Sequence, residues 1–313
     1  MALKLSRTAF KRLCLLPLVL VCLFIFIYYQ IANMYRNVEY KGNITVVQTA
    51  FDLFKRQPLE ICHNIDLLNV GDPEGIELNS YPQLICADPG FQIEENNCLF
   101  YVIKTLKNEW SLEDIAERMG CQVYSLLLIP PHQSADAEEF TPVRNQSRFI
   151  HYFRLNERDS VGHFIQQQQQ QQNQTNETFI DYMMIRMGSG QSEWRIVSDL
   201  AERNQLDRVK HLSMGVNLCP DRSSFTESHF QFVIDVDQQL YDRWDMKLFA
   251  LANDEDTFVY NPVVKEETYC ASQFSWINQR FRRIDDPQCQ LPGNDSQHTE
   301  PVTSQTVALL ANR

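Results

Sequence analysis

No two cysteines stand two residues apart, so the chain lacks the Cys-x-x-Cys spacing of zinc ribbons and thioredoxin-like redox sites. The seven histidines, His63, His132, His151, His163, His211, His229 and His298, are scattered without ligand spacing, and no metal site is expected. Gly-x-Ser-x-Gly, His-Glu-x-x-His and a Walker loop are also missing, which removes three common catalytic signatures. Basic residues are scarce: 28 Lys and Arg against 40 Asp and Glu leave a net charge of −12. Four of the basic residues, Lys4, Arg7, Lys11 and Arg12, fall in the first twelve positions with no acid among them, so the remainder carries −16. Nucleic-acid binding needs a concentrated basic stripe, and none is visible.

Long apolar runs are also few, but one is present. Leu13 to Ile31 is broken only by Pro17 and Gln30. About 20 apolar residues span a bilayer, and the run exceeds a usual signal-peptide core. Ile31-Ala-Asn-Met-Tyr-Arg36 is a poor cleavage site. The basic flank keeps the N-terminus cytoplasmic by the positive-inside rule. The expectation is an uncleaved type II signal anchor with the rest of the chain in the Golgi or ER lumen or at the cell surface. Five Asn-x-Ser/Thr sequons, at Asn43, Asn145, Asn173, Asn176 and Asn294, all follow the run and are expected to be glycosylated. Cys14 and Cys22 belong to the apolar segment. Seven cysteines lie beyond it, Cys62, Cys86, Cys98, Cys121, Cys219, Cys270 and Cys289; an odd number leaves at least one thiol free or paired between chains.

The organisation then reads as a cytoplasmic tail (1–12), the anchor (13–31), a stem (32–60), one lumenal domain (61–284) and a loose C-terminal tail (285–313). A Gln/Asn-rich stretch at 164–177 has no apolar face of its own and reads as a surface insertion. Within the domain, strand-like runs at Cys98–Ile103, Gln122–Ile129, Phe149–Phe153, Phe179–Met187, His211–Leu218, Met246–Leu251 and Tyr269–Phe274 mix with helical stretches from Ser111, at Ser192–Arg203 and at Phe230–Trp244. Ser111 and Asp114 suit a helix start and Gly120 a helix stop. Alternating strands and helices predict an α/β fold, a mainly parallel sheet covered on both faces. Asp235-Val-Asp237 has the look of a metal-binding Asp-x-Asp, but it falls in a helical period where residues two apart diverge by about 200°.

Four segments recur in the order and spacing of one family: Tyr101-Val-Ile-Lys-Thr-Leu-Lys-Asn-Glu-Trp110, Gly120-Cys-Gln-Val-Tyr-Ser125, Ile180-Asp-Tyr-Met-Met-Ile-Arg-Met187 and Leu206-Asp-Arg-Val-Lys-His-Leu-Ser-Met214. They resemble the methyltransferase-like protein 24 family, the Rossmann-type group also called methyltransferase domain 22. The resemblance spans roughly Cys62 to Asn278 and implies a three-layer methyltransferase-like sandwich that binds S-adenosylmethionine (SAM).

At the positions where that family carries its chemistry, this chain differs. Lys104 stands where the family has the glycine that lets the backbone approach the cofactor. Leu127 stands at the acid that accepts the ribose hydroxyls. Arg186 replaces an acid after the fourth strand, where the loop is two residues longer and only Glu193-Trp194 remain. Gly215 replaces the acid at the end of the fifth. Leucine has no acceptor, and an unpaired hydroxyl in a buried pocket costs about 1–3 kcal/mol. The expectation is therefore a degenerate pocket at Lys104, Leu127, Arg186 and Gly215, with no catalytic residue, no cofactor and a protein that acts by binding an unidentified partner. The alternative is an active methyltransferase that binds SAM in a remodelled pocket. The retained Trp110, Trp194 and Tyr182 read as core, and Glu109 and Glu193 as solvated or capping residues.

Overall fold

The computed structural model describes residues 21, 23–27, 42–68, 83–105, 111–129, 148–156, 158–171, 179–187, 192–218, 226–254, 257–261 and 264–282. Among these, no helix is long and apolar enough to cross a membrane. Most of the expected anchor (13–31), the C-terminal tail and Asn145, Asn173, Asn176, Asn294, Glu109 and Trp110 lie outside the described residues.

The apolar runs form the expected strands. Leu99–Lys104 (β3), Gln122–Ile129 (β4), Ile150–Asn156 (β5), Ile180–Arg186 (β6), Val209–Asn217 (β7), Met246–Asn253 (β8) and Ala271–Asn278 (β11) make one sheet in the order β5-β4-β3-β6-β7-β11-β8. All its strands run parallel except β11, which is antiparallel to both neighbours. Counted within this sheet, the order is 3-2-1-4-5-7-6: the Rossmann order with one reversed strand inserted near the edge, and with the order switching between β3 and β6. The run expected at Tyr269–Phe274 divides at Cys270. Glu266–Tyr269 (β10) pairs with Phe258–Asn261 (β9) in a separate hairpin, and the core strand starts at Ala271.

Period-two alternation on buried strands sends side chains to two covered faces. On one face, Tyr101, Ile103, Leu126 and Ile185 meet four helices: Ile44–Asp52 (α1), Val161–Gln171 (α3), Ser192–Glu202 (α4) and Glu227–Asp242 (α5). On the other, Phe100, Val102, Val123 and Met184 meet Ser111–Arg118 (α2) through Leu112, Ile115 and Ala116. Further along that face lies a small hairpin of Ile65–Leu67 (β1) and Leu84–Cys86 (β2), with Cys86 and Phe91 packed on Phe249 and Ile277. The result is the expected three layers.

Two segments read as lying outside the core make contact with it. The segment 32–60, read as a stem in which Val46–Phe54 can form a short helix against the domain, contributes α1. Asn43 Oδ1 accepts from the Thr45 amide at 3.0 Å and caps its first turn. Val47, Ala50 and Phe51, followed by Phe54, then fall on one helical face and are buried. Phe51 lies 5.9 Å from Phe230 and Phe54 lies 5.4 Å from Phe274. The Gln-rich stretch is helical through Gln171. Glutamine is a good helix former, and Gln169 continues the buried stripe of Val161 and Ile165 at four-residue spacing. A charged partner, Arg208, donates to Gln169 Oε1 at 2.7 Å and supplies the contact that an apolar residue would not need.

All five described cysteines beyond the apolar run are oxidised. Cys62 bonds Cys86, and Cys98 bonds Cys121. Cys270 is also disulfide-bonded, and both Cys219 and Cys289 lie outside the described residues.

Candidate functional site

In a Rossmann-order sheet, ligands sit beyond the carboxyl ends of the strands where the order reverses. The four positions singled out from the sequence meet there. Leu127 on β4 is the register partner of Lys104 on β3; Lys104 partners Arg186 on β6; Arg186 partners Gly215 on β7. They form one unbroken row across four adjacent strands, on the face that carries α2. Register partners on parallel strands point to the same side of a sheet, so these four substitutions share one surface. The loops that continue from β3, β4, β6 and β7 lie outside the described residues.

Lys104 is buried at this end of the sheet and is not a solvated side chain. It is 2% exposed, and its Nζ pairs with Glu113 on α2, which is fully buried. Ser125 on β4, also buried, donates to the same Glu113 Oε1 at 2.8 Å. The helix start at Ser111 sets this up: Glu113 falls in the first turn, where a carboxylate also suits the helix dipole. Glu113 Oε2 is buried with no hydrogen-bond partner. The sequence draws attention to its neighbour Asp114 and not to Glu113. The missing signal is tertiary, because only the fold brings the Lys104 and Ser125 side chains to that oxygen.

Arg186 and Gly215 are neighbours. A Cβ on Gly215 would meet Arg186 Cγ at 3.4 Å, an ordinary contact, and Gln273 Oε1 slightly tightly at 3.3 Å. Behind them the same face carries a polar row. Gln273 donates to Ser213, while Gln83 Oε1 accepts from Tyr182 at 2.8 Å. The donor set implied by the resemblance is thus not reproduced. A buried ion pair stands at the glycine, an alkyl chain at the ribose acceptor and a guanidinium at a carboxylate. These residues do not fit SAM held in the family's manner.

The retained landmarks are structural. Trp194 and Tyr182 are fully buried, and Trp194 meets Trp276 edge-on at 6.3 Å. Glu193, read as a solvated or capping residue, is buried; its Oε1 accepts from the Met187 amide at 3.0 Å and ties the end of β6 to the start of α4. Asp237 of the Asp-x-Asp pair is buried within α5 and accepts from Arg56 at 2.8 Å, whereas Asp235 accepts from Gln231 one turn away. Cys62, Cys86 and Asp88 cluster closely enough to suggest a metal, but the two cysteines are joined to each other and offer no thiolate. Asp88 instead accepts from the His63 and Asn64 amides, both at 2.9 Å.

His211, unremarkable in the sequence, lies beneath the β1–β2 hairpin. Its Nδ1 reaches the Asp181 carbonyl at 2.9 Å, and its Nε2 lies 3.2 Å from the Cys86 amide. A neutral ring protonated on Nδ1 satisfies both: it donates to the carbonyl and accepts from the amide. Burial holds its pKa down, from 6.5 to about 4. Between those values the unfolded chain binds the proton and the folded chain does not, so stability falls as pH drops. The loss is about 0.8 kcal/mol by pH 6 and approaches about 3 kcal/mol below pH 4. Urea titrations from pH 7.5 to 4.5 should show this slope, and His211→Gln should flatten it. An equal slope in the variant would assign the acid sensitivity elsewhere.

No family model matches the chain, and neither does any curated protein. Solved structures that match its shape include a geranyl diphosphate methyltransferase in complex with SAM, at TM-score 0.35 and 9% identity over 59% of this chain and 79% of that one. A putative SAM-dependent methyltransferase from Streptococcus mutans matches at TM-score 0.33 and 11% identity over 59% and 45%. A putative methyltransferase from Thermobifida fusca YX matches at TM-score 0.36 and 8% identity over 60% and 76%. The assignment of the fold rests on strand order and register rather than on these values.

Proposed function

We propose that this chain is a membrane-anchored protein of the secretory pathway whose methyltransferase-like domain no longer binds SAM and acts through its surface. The observation that carries the reading is the buried Lys104–Glu113 pair at the strand-order switch. Glycine there would admit a cofactor; lysine paired to a fully buried carboxylate occupies the position instead. Arg186 adds a cation on the same row, and a sulfonium cofactor would meet it as a like charge. At 4 Å and an effective dielectric near 20, that repulsion is about 4 kcal/mol. Calorimetry with SAM and with its demethylated product tests the reading. The expected result is no binding tighter than about 100 μM, or −5.5 kcal/mol. Tighter binding of SAM would establish the alternative, an active methyltransferase with a remodelled pocket. Binding of the product alone would retain the charge argument at Arg186 and refute the steric one at Lys104.

Two features support the compartment. Helical residues 21 and 23–27 leave large apolar side chains uncovered, with Phe24 74% exposed and Ile25 62%. A lipid environment would cover them. The disulfides form and persist in oxidising compartments and are rare in the cytosol. Glycosidase treatment of the full-length protein from cells should increase its gel mobility. An unchanged mobility, or a mature N-terminus near residue 33, would overturn the anchor.

A further inference from the structure

The anchor proposed above leads into α1, and the fold decides which end of the domain that is. Helix α5 carries the chain back from the carboxyl end of β7 to the amino end of β8, so its first turn lies at the carboxyl end of the sheet. α1 runs beside it in the same direction: the Asn43 amide donates to Glu227 Oε2 at 2.9 Å, and Arg56 donates to Asp237 at 2.8 Å further along. α1 therefore also starts at the carboxyl end, where the Lys104 row stands. From Ile31, the last residue of the apolar run, to Asn43 the chain spans about 40 Å at full extension. A domain of this size is about 45 Å across, and the path around its surface is longer. To rest the opposite end on the membrane, the connection would have to stretch beyond its full length. The carboxyl end of the sheet is thereby kept toward the lipid.

That end carries an uncovered apolar stretch. The β9–β10 hairpin fills the gap between Asn253, which ends β8, and Ala271, which starts β11, so it springs from the carboxyl end of the sheet. Along β9 three consecutive side chains are exposed: Phe258 at 46%, Val259 at 44% and Tyr260 at 55%. Successive strand residues point to opposite faces, so neither face of β9 is buried in the domain at these positions. The hairpin is nonetheless fixed: the Phe258 ring lies 4.8 Å from that of Tyr269, and Lys55 pairs with Glu266 at 2.6 Å. Single exposed apolar residues are ordinary, but a contiguous patch marks an interaction site.

The bilayer is the partner that the connection itself supplies, since a short tether holds it at high effective concentration. Tyrosine suits the level of the headgroups, with its ring toward the acyl chains and its hydroxyl in water. The described exposed charges of the hairpin are Lys265, Glu266 and Glu267. With no basic cluster, the hairpin has nothing to draw anionic lipid and fits a zwitterionic surface. Among the described residues β9 pairs with β10 alone. Its outward backbone groups need water or headgroups and keep it out of the hydrocarbon. We propose that Phe258, Val259 and Tyr260 rest in the headgroup layer of the zwitterionic bilayer that holds the anchor, with the carboxyl end of the sheet turned to the membrane. The proposal rests on the anchored reading given above.

Photo-crosslinking of the full-length chain in phosphatidylcholine vesicles tests the proposal. The photoreactive p-benzoylphenylalanine replaces Phe258, Tyr260 or Tyr241 in turn; Tyr241 is 45% exposed in the last turn of α5, at the opposite end of the domain. After irradiation, mass spectrometry reads phospholipid adducts on the peptide that carries each probe. Adducts at Phe258 and Tyr260 should exceed those at Tyr241 at least about fivefold, because interfacial contact scales with the apolar area turned to the bilayer. Adding phosphatidylserine should not increase them. The two hairpin positions are read independently, so a probe that disturbs one leaves the other to decide. Equal labelling at all three positions, no lipid adduct at the hairpin, labelling that requires phosphatidylserine, or crosslinks to a second copy of this chain in place of lipid would overturn the proposal. Alkaline carbonate extraction of the same vesicles reads the anchor by itself. A chain that is retained but unlabelled overturns this proposal alone; a chain that is released overturns the anchor and the orientation drawn from it.

Discussion

Replacing Lys104 by methionine should destabilise the domain by about 3–5 kcal/mol, the usual cost of breaking a buried ion pair from one side. Glu113 is fully buried and would lose the ammonium that pairs with it while keeping the Ser125 hydroxyl. For a domain of this size the loss corresponds to roughly 6–20 °C in melting temperature. The double variant Lys104→Met/Glu113→Gln should recover most of it, because the amide keeps an acceptor for Ser125 and carries no charge. Urea unfolding of the wild type, both single variants and the double variant gives the coupling directly. A cost below about 1 kcal/mol for Lys104→Met would match a solvent-screened pair and would remove the physical basis for a crevice closed by that pair.

Removing both fully described disulfides should have a still larger effect. Cys62–Cys86 and Cys98–Cys121 close loops of 24 and 23 residues. Loop-closure entropy for such lengths is about 3 kcal/mol each, with a usual range of 2–5 kcal/mol. The pairs tie different parts of one face: the first fastens the residues before β1 to β2, and the second fastens the start of β3 to that of β4. Their effects should therefore add to about 6 kcal/mol, which is comparable to the whole stability of many domains. Cys62→Ala/Cys86→Ala and Cys98→Ala/Cys121→Ala should each lower the urea midpoint, and the fourfold variant should fail to accumulate to wild-type levels in the membranes of expressing cells. A fourfold variant as stable as the wild type would make the bonds incidental to the fold. It would also weaken the assignment to an oxidising compartment.

The sheet was legible because its strands are buried on both faces. Gln122–Ile129 and Phe179–Met187 read as short apolar runs, and the structure has strands at Gln122–Ile129 and Ile180–Arg186. The row of Leu127, Lys104, Arg186 and Gly215 was legible through motif order, since each position lies at or two residues before the end of a parallel strand of one sheet. Glu113 was not. A first-turn glutamate is ordinary in a sequence, and only the packing of α2 over β3 and β4 gives it a lysine. The helix α1 was legible in part: Val46–Phe54 reads as a short helix against the domain, but its partners, Phe230 and Phe274, lie some 180 to 220 residues away. The Gln-rich stretch was misjudged by composition: its helix is set by Val161 and Ile165 just before it, and Gln169 gains from Arg208 the contact its side chain needs. Disulfide partners were not readable either, because seven cysteines allow many pairings and spacing selects none.

The Lys104–Glu113 pair also bears on how reversible the change at this crevice is. Reinstating glycine at 104 alone would leave a buried carboxylate stranded, and neutralising Glu113 alone would strand the ammonium. Either first step costs stability before any room for a cofactor is regained, and the neighbouring Leu127 and Arg186 would still be unsuited to it. The domain therefore sits behind a stability barrier on every single-substitution route back to an open pocket. On the proposed reading, that barrier holds whether or not selection acts on binding there: the pair resists its own removal one residue at a time.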